Sequence, residues 1–149
     1  MATRLLPGTR VQVRRGQRRD LTRLRVFLEH EAAARRTRFD RALLADLGTD
    51  VYLAEDEGGA IVGVVAVAYL RSLAAGAFAA VLDTARAAGS EAPLVLAHLV
   101  GLAEERARRR GCRTMRAWPG PDEVALRDVL EARGYDAGAC LVAELGASQ

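Results

Sequence analysis

The second half of the chain alternates strand-forming with helix-forming stretches, and that order constrains the fold more than any other feature. Phe78 to Leu82 is apolar and strand-like. Pro93 to Arg110 then carries Leu94, Leu96, Leu99, Val100 and Ala103 at helical spacing. Cys112 to Trp118 returns to strand character. Asp122 then precedes a second helical pattern of Val124, Leu126, Val129 and Leu130. Pro93 suits a first helical turn, where its missing N–H costs nothing. Gly111 and Gly134 stand where each helix needs a C-terminal stop. Strands interleaved with helices predict a mixed sheet covered by helices. Tyr135 to Leu145 reads as a final strand or bent strand pair.

The first half supplies the rest of the sheet. Val11 to Arg14 alternates apolar and polar residues, as a short first strand does. Asp20 precedes an apolar stripe of Leu21, Leu24, Val26, Phe27 and Leu28 and is a candidate N-cap for a helix reaching about Ala34. Phe39 to Leu47 repeats the helical pattern, with Gly48 as its stop. Val51 to Ala54 and Ile61 to Leu70 form a hairpin across the turn Glu55-Asp56-Glu57-Gly58-Gly59. Gly63 inside the second strand implies a bulge or a close backbone approach. The expected order is β-α-α-β-β-β-α-β-α-β, an α/β (α+β) fold with a mixed central sheet of about six strands. The expected extent is one domain over residues 1–149, with a structured core from about 11 to 145.

Composition narrows the function classes. The chain has 149 residues, half of them hydrophobic, and a formal net charge of +3. All 22 basic residues are arginine, so Schiff-base catalysis by lysine is excluded. Aromatic residues are only 5%. The densest basic cluster, Arg106-Arg108-Arg109-Arg110, reads as a solvated helix end favoured by the macrodipole, with Glu104 and Glu105 just upstream. No nucleic-acid partner is expected. Cys112 and Cys140, with His30 and His98, form no metal signature and no disulfide framework. Met1 to Gly8 is too short and polar for a signal peptide. No apolar run approaches the roughly 18 residues needed to span a bilayer. A soluble, cytoplasmic protein without a membrane partner is the expectation.

Three stretches carry a family resemblance. The first is the hairpin Val51-Tyr52-Leu53-Ala54-Glu55-Asp56-Glu57-Gly58-Gly59-Ala60-Ile61-Val62-Gly63, with its I-V-G step. The second is the helix end Ala103-Glu104-Glu105-Arg106-Ala107-Arg108-Arg109-Arg110-Gly111-Cys112, running into a strand. The third is Val124-Ala125-Leu126-Arg127-Asp128-Val129-Leu130-Glu131-Ala132-Arg133-Gly134-Tyr135, a helix closed by a Gly-aromatic pair. In this order the chain resembles the GNAT acyltransferases from about Val11 to Leu145. The resemblance implies acyl-CoA bound where two central strands splay apart. The strand before the long helix would offer backbone groups to the pantetheine, here Val81 and Leu82. A loop of the form Arg/Gln-x-x-Gly-x-Gly/Ala would hold the pyrophosphate at the next helix N-terminus, where free amides and the helix dipole favour an anion.

Two stretches could be that loop. Glu91-Ala92-Pro93-Leu94-Val95-Leu96 lies at the family's usual distance from Gly111, but it has no glycine and contains a proline. Arg86-Ala87-Ala88-Gly89-Ser90-Glu91 keeps the arginine and the first glycine, and departs at Glu91. Arg86, Gly89 and Ser90 are therefore the candidate cofactor residues. A simpler reading makes Ala-Ala-Gly-Ser an ordinary loop into a helix, with Ser90 as its cap.

The family's acid position, a tyrosine five residues before the aromatic of the pair, is Leu130 here. Cys140, Tyr69 and Cys112 are alternative acids. Asp83 is the candidate base, against the reading that it merely starts a turn before Thr84. The resemblance implies acetyl-CoA, or another acyl-CoA, as co-substrate and no metal. The acceptor would be a small amine or a peptide amine, and a homodimer is a family habit. Two functions stay open at this level: an N-acetyltransferase working by direct attack, and a GNAT-like domain without catalysis that binds a ligand or regulates a partner.

Overall fold

The computed structural model describes residues 3–28 and 48–138. The expected helix over residues 39–47, Cys140, and the end of the expected last strand lie outside these residues. Among the described residues six strands form one sheet in the order β1-β2-β3-β4-β5-β6. They are β1 (Arg4–Leu5), β2 (Gln12–Arg15), β3 (Thr49–Glu55), β4 (Ile61–Ser72), β5 (Ala77–Ala87) and β6 (Cys112–Ala117). The first four pairings are antiparallel and the last, β5 with β6, is parallel. Among the described residues three α-helices accompany them: α1 (Leu21–Phe27), α2 (Ala92–Arg109) and α3 (Val124–Ala132). This is the mixed sheet with helices that the sequence predicts.

Alternation along the strands sorts the sheet into two faces. Tyr52, Ala54, Val65, Val67, Ala80, Leu82 and Ala85 point towards α2, where they meet Val95, Leu99, Val100 and Ala103. Val51, Leu53, Val64 and Ala66 point the other way, towards Leu24, Phe27 and Leu28 of the α1 region. The stripe read at 94, 96, 99, 100 and 103 is therefore the face of α2 that covers the sheet, although Leu94 itself is exposed. Gly63 sits where α2 presses closest. A Cβ there would come within 2.8 Å of Leu99 Cδ1 and 3.0 Å of Val95 Cγ1.

Several expectations need correction. β1 was not foreseen. It extends the sheet by two residues, Arg4 and Leu5, that pair with Val13 and Gln12. His98 of α2 steadies the turn after it, its Nε2 lying 2.8 Å from the Pro7 carbonyl oxygen. A 3-10 turn over Arg18–Asp20 leads into the seven residues of α1, with Leu28 as its C-cap, and the expected continuation to about Ala34 lies outside the described residues. Asp20 makes no capping hydrogen bond to that helix, because its carboxylate accepts from Arg14 and from the Gln17 N–H instead. Residues 135–138 are not strand.

Candidate functional site

β5 is longer than its sequence reads, and its extra length makes the site. The parallel ladder to β6 runs from Phe78↔Cys112 to Leu82↔Ala117 and stops. β5 nevertheless continues to Ala87, held on its other edge by β4 through Thr84↔Ala66, Ala85↔Val65, Arg86↔Val64 and Ala87↔Gly63. β6 ends at Ala117, so beyond Leu82 the edge of β5 away from β4 carries no pairing to β6. The register against β4 shifts at the same place: Val67 faces Leu82 and Ala66 faces Thr84, so Asp83 is an extra, bulged residue.

The ladder shows which backbone groups face the gap. Ala88 N–H donates to Val62 O at 2.9 Å. In an antiparallel pair the hydrogen-bonded residues alternate, so Arg86 and Thr84 also turn their amides towards β4. Ala85 and Ala87 turn theirs the opposite way, into the gap left by β6. A stretch of strand with one polar edge unladdered can receive an extended, amide-bearing ligand as an added strand.

The gap opens towards the start of α2. Of the two candidate loops, Arg86 to Glu91 is the one that connects strand to helix. Ala92 to Leu96 belong to α2 itself, which removes the glycine-free stretch as a loop. Gly89 has φ +88 and open space where a Cβ would stand. Ser90 makes no capping hydrogen bond, since the N-cap position falls on Glu91 and has no side-chain bond. The first turn offers fewer donors than an open helix end. The Ala92 N–H bonds back to Gly89 O at 3.2 Å, and Pro93 has no N–H.

The remaining candidates fall around this gap. Val81 and Leu82 are still paired with Arg116 and Ala117, and the Leu82 side chain is core, so the unladdered amides begin just after them. Asp83 is exposed at the bulge, not at the strand end, and accepts from Thr84 Oγ1 at 3.1 Å. Arg86 lies with Nε 3.8 Å from Glu123 Oε1. Glu123 precedes α3 and is itself fixed, its Oε2 accepting the Gly120 N–H at 2.6 Å. This contact reaches from the β5 side to the β6 side, and nothing in the sequence announced it. Trp118, just past β6, is half exposed.

The acid alternatives do not converge here. Leu130 is buried in the core between α2 and α3. Tyr135 is tied to Glu104, and burial first and then that carboxylate push its hydroxyl up to about 12. Glu104 is twelve residues along α2 from its start, about 18 Å at the helical rise. Tyr69 is likewise engaged, donating to the fully buried Asp50 at 2.8 Å with Arg110 stacked 4.4 Å from its ring centre. Its hydroxyl is pushed well up by burial and by Asp50. Burial also raises the Cys112 thiol, which pairs opposite Phe78 at the far end of the β5–β6 ladder from the gap.

Among the described residues no group of three or more His, Cys, Asp or Glu side chains is placed to hold a metal ion. No helix there is long and apolar enough to cross a membrane.

No protein-family model matches the sequence, and no curated protein matches it. Solved structures do match. A transcriptional regulator from Bacillus halodurans superposes with TM-score 0.76 at 20% identity, over 91% of this chain and 99% of that one. An aminoglycoside antibiotic 6'-N-acetyltransferase from Acinetobacter baumannii gives 0.75 at 14% identity, over 93% and 99%. A ribosomal-protein-alanine N-acetyltransferase from Brucella melitensis biovar Abortus gives 0.71 at 17% identity, over 91% and 99%. At such identities the likeness is one of fold.

Proposed function

We propose that this chain, whose fold is that of the GNAT acyltransferases, binds acetyl-CoA in the gap between β5 and β6 and transfers the acetyl group to an amine. The observation that carries this reading is that the β5–β6 ladder ends at Leu82 and Ala117 while β5 runs on to Ala87 along β4. The Ala85 and Ala87 backbone groups match the amides and carbonyls of a pantetheine arm. The open space at Gly89 lets an anion approach the backbone there, and Arg86 supplies a cation. The acetyltransferases among the similar structures support the reaction class; fold alone does not fix the chemistry.

Asp83 takes the role of base. Its exposed carboxylate stands at the bulge, beside the first unladdered residues, and would accept a proton from the acceptor's ammonium group. The freed amine attacks the thioester carbonyl, and strand amides aimed at the developing oxyanion stabilise it. The C–S bond then breaks, the nitrogen gives its excess proton to solvent, and the sulfur leaves as thiolate. A thiol with an ordinary pKa near 8.5 takes its proton from solvent close to neutrality, so buried Leu130 does not forbid the reaction. The acceptor is a small amine or a peptide amine. A soluble protein acting in the cytoplasm, as one domain and as a homodimer in the way the family often is, completes this reading.

A second reading has a specific observation behind it. Pro93, the turned-back Ala92 amide and Glu91 all weaken the helix start as a pyrophosphate site, as they would in a domain that keeps the fold and has lost the reaction. Calorimetric titration separates the two. Saturable micromolar binding of acetyl-CoA, weakened about fivefold in Arg86→Ala as expected for one exposed charge contact, supports the transferase. No binding at millimolar acetyl-CoA removes it and leaves the second.

A further inference from the structure

The mouth of the gap is charged against a phosphate-bearing ligand. Two segments flank it, residues 86–91 on the β5 side and residues 118–123 on the β6 side. Between them they hold one cation, Arg86, and three carboxylates, Glu91, Asp122 and Glu123. Arg127, whose Nη2 lies 3.3 Å from the Gly120 carbonyl oxygen, adds a second cation, so the mouth carries a net charge of about −1, the reverse of what a diphosphate site needs. Glu123 is the carboxylate placed to matter most. It lies 3.8 Å from Arg86, and it cannot swing away freely because the Gly120 N–H holds its other oxygen at 2.6 Å. Gly120 is tied in turn, its carbonyl accepting from Arg127 Nη2 at 3.3 Å. The Arg86 side chain is about half exposed and that of Glu123 about a third exposed, so both can be reached by a ligand.

We propose that Glu123 is a specificity-determining residue of the gap: a fixed carboxylate that shares Arg86 with any entering anion and selects against phosphate on the acyl donor. This rests on the reading of the gap as a thioester site and adds to it a rule about charge. A donor built on pantetheine alone escapes the penalty, whereas one carrying the nucleotide phosphates meets it in full.

The test compares two probes, acetyl-CoA and uncharged acetylpantetheine, on the wild-type chain and on Glu123→Gln. Glutamine keeps an oxygen for the Gly120 N–H and loses the charge. The variant is expected to bind acetyl-CoA about two- to fivefold more tightly, the range of one exposed charge pair, and acetylpantetheine unchanged. The gain shrinks as salt is raised, because screening removes it. A circular-dichroism melt checks that the variant folds as the wild type does. Unchanged or weaker acetyl-CoA binding by Glu123→Gln, with the wild type binding normally, overturns the proposal; the carboxylate would then be positioning Arg86. Equal tightening of both probes overturns it too, since the effect would not be one of phosphate charge. Failure of both proteins to bind either probe overturns the thioester reading together with this one.

Discussion

Asp20→Ala is expected to destabilise the protein by about 3 kcal/mol, the lower end of the cost of breaking a buried ion pair. Asp20 is only 2% exposed. It accepts from Arg14 through both oxygens at 2.7 Å and from the Gln17 N–H at 2.8 Å, with Arg23 at 3.6 Å. The loss stays at the lower end because Arg14 keeps its paired bonds to Glu55, at 2.8 and 2.9 Å. This cluster joins β2, the turn before α1, and the end of β3, so the substitution loosens one whole edge of the sheet. A chemical-denaturation midpoint measures it.

The same cluster sets a pH dependence. Hydrogen bonds from Arg14 hold the Asp20 and Glu55 carboxyls below their ordinary values of 3.8 and 4.5. A carboxyl depressed in the folded state adds stability that is complete above its unfolded value and fades as pH falls towards the folded one. Stability of the wild type should therefore drop as pH is lowered through about 4 and below, and Asp20→Ala should flatten that slope.

Gly63→Val is expected to cost about 3 kcal/mol, at the upper end for overpacking a core. Any Cβ at this position meets Leu99, Val95 and Ala54 at 2.8, 3.0 and 3.2 Å, and all three neighbours are essentially fully buried. Valine gains about 1 kcal/mol of strand preference over glycine, which the clash exceeds. Relieving the strain requires Leu99 and Val95 to leave their rotamers or α2 to move away from β4. The start of α2 faces the gap, so acetyl-CoA affinity should fall along with the melting temperature. Equal stability of variant and wild type would mean that α2 does not press on β4 as closely as these distances require.

Much of this arrangement was legible in the residues. The long helix was read as Pro93 to Arg110 and runs Ala92–Arg109, because a proline start, a leucine stripe and Gly111 leave little choice. Gly63 was read as marking a bulge or a close backbone approach, from a glycine where a strand should carry a side chain, and α2 does approach closely there. β5 was read as ending at Leu82, five residues short. Thr84-Ala85-Arg86-Ala87 has little strand preference of its own, and it is pairing with β4 that makes it strand. The gap was therefore readable only by resemblance to the family, since it exists through the difference between two ladder lengths. Asp20 and Glu55 looked like a cap and a turn residue, because their true partner, Arg14, is brought to them by strand register. The Arg86–Glu123 contact joins residues 37 positions apart, which no local pattern encodes.

Amide hydrogen exchange with and without acetyl-CoA addresses the central claim most directly. If the ligand lies in the gap, exchange at Ala85 and Ala87 slows on saturation while Thr84 and Arg86, already bonded to β4, change little. If acetyl-CoA saturates the protein and leaves Ala85 and Ala87 as they were, the unladdered edge of β5 is not its site and the central claim is contradicted.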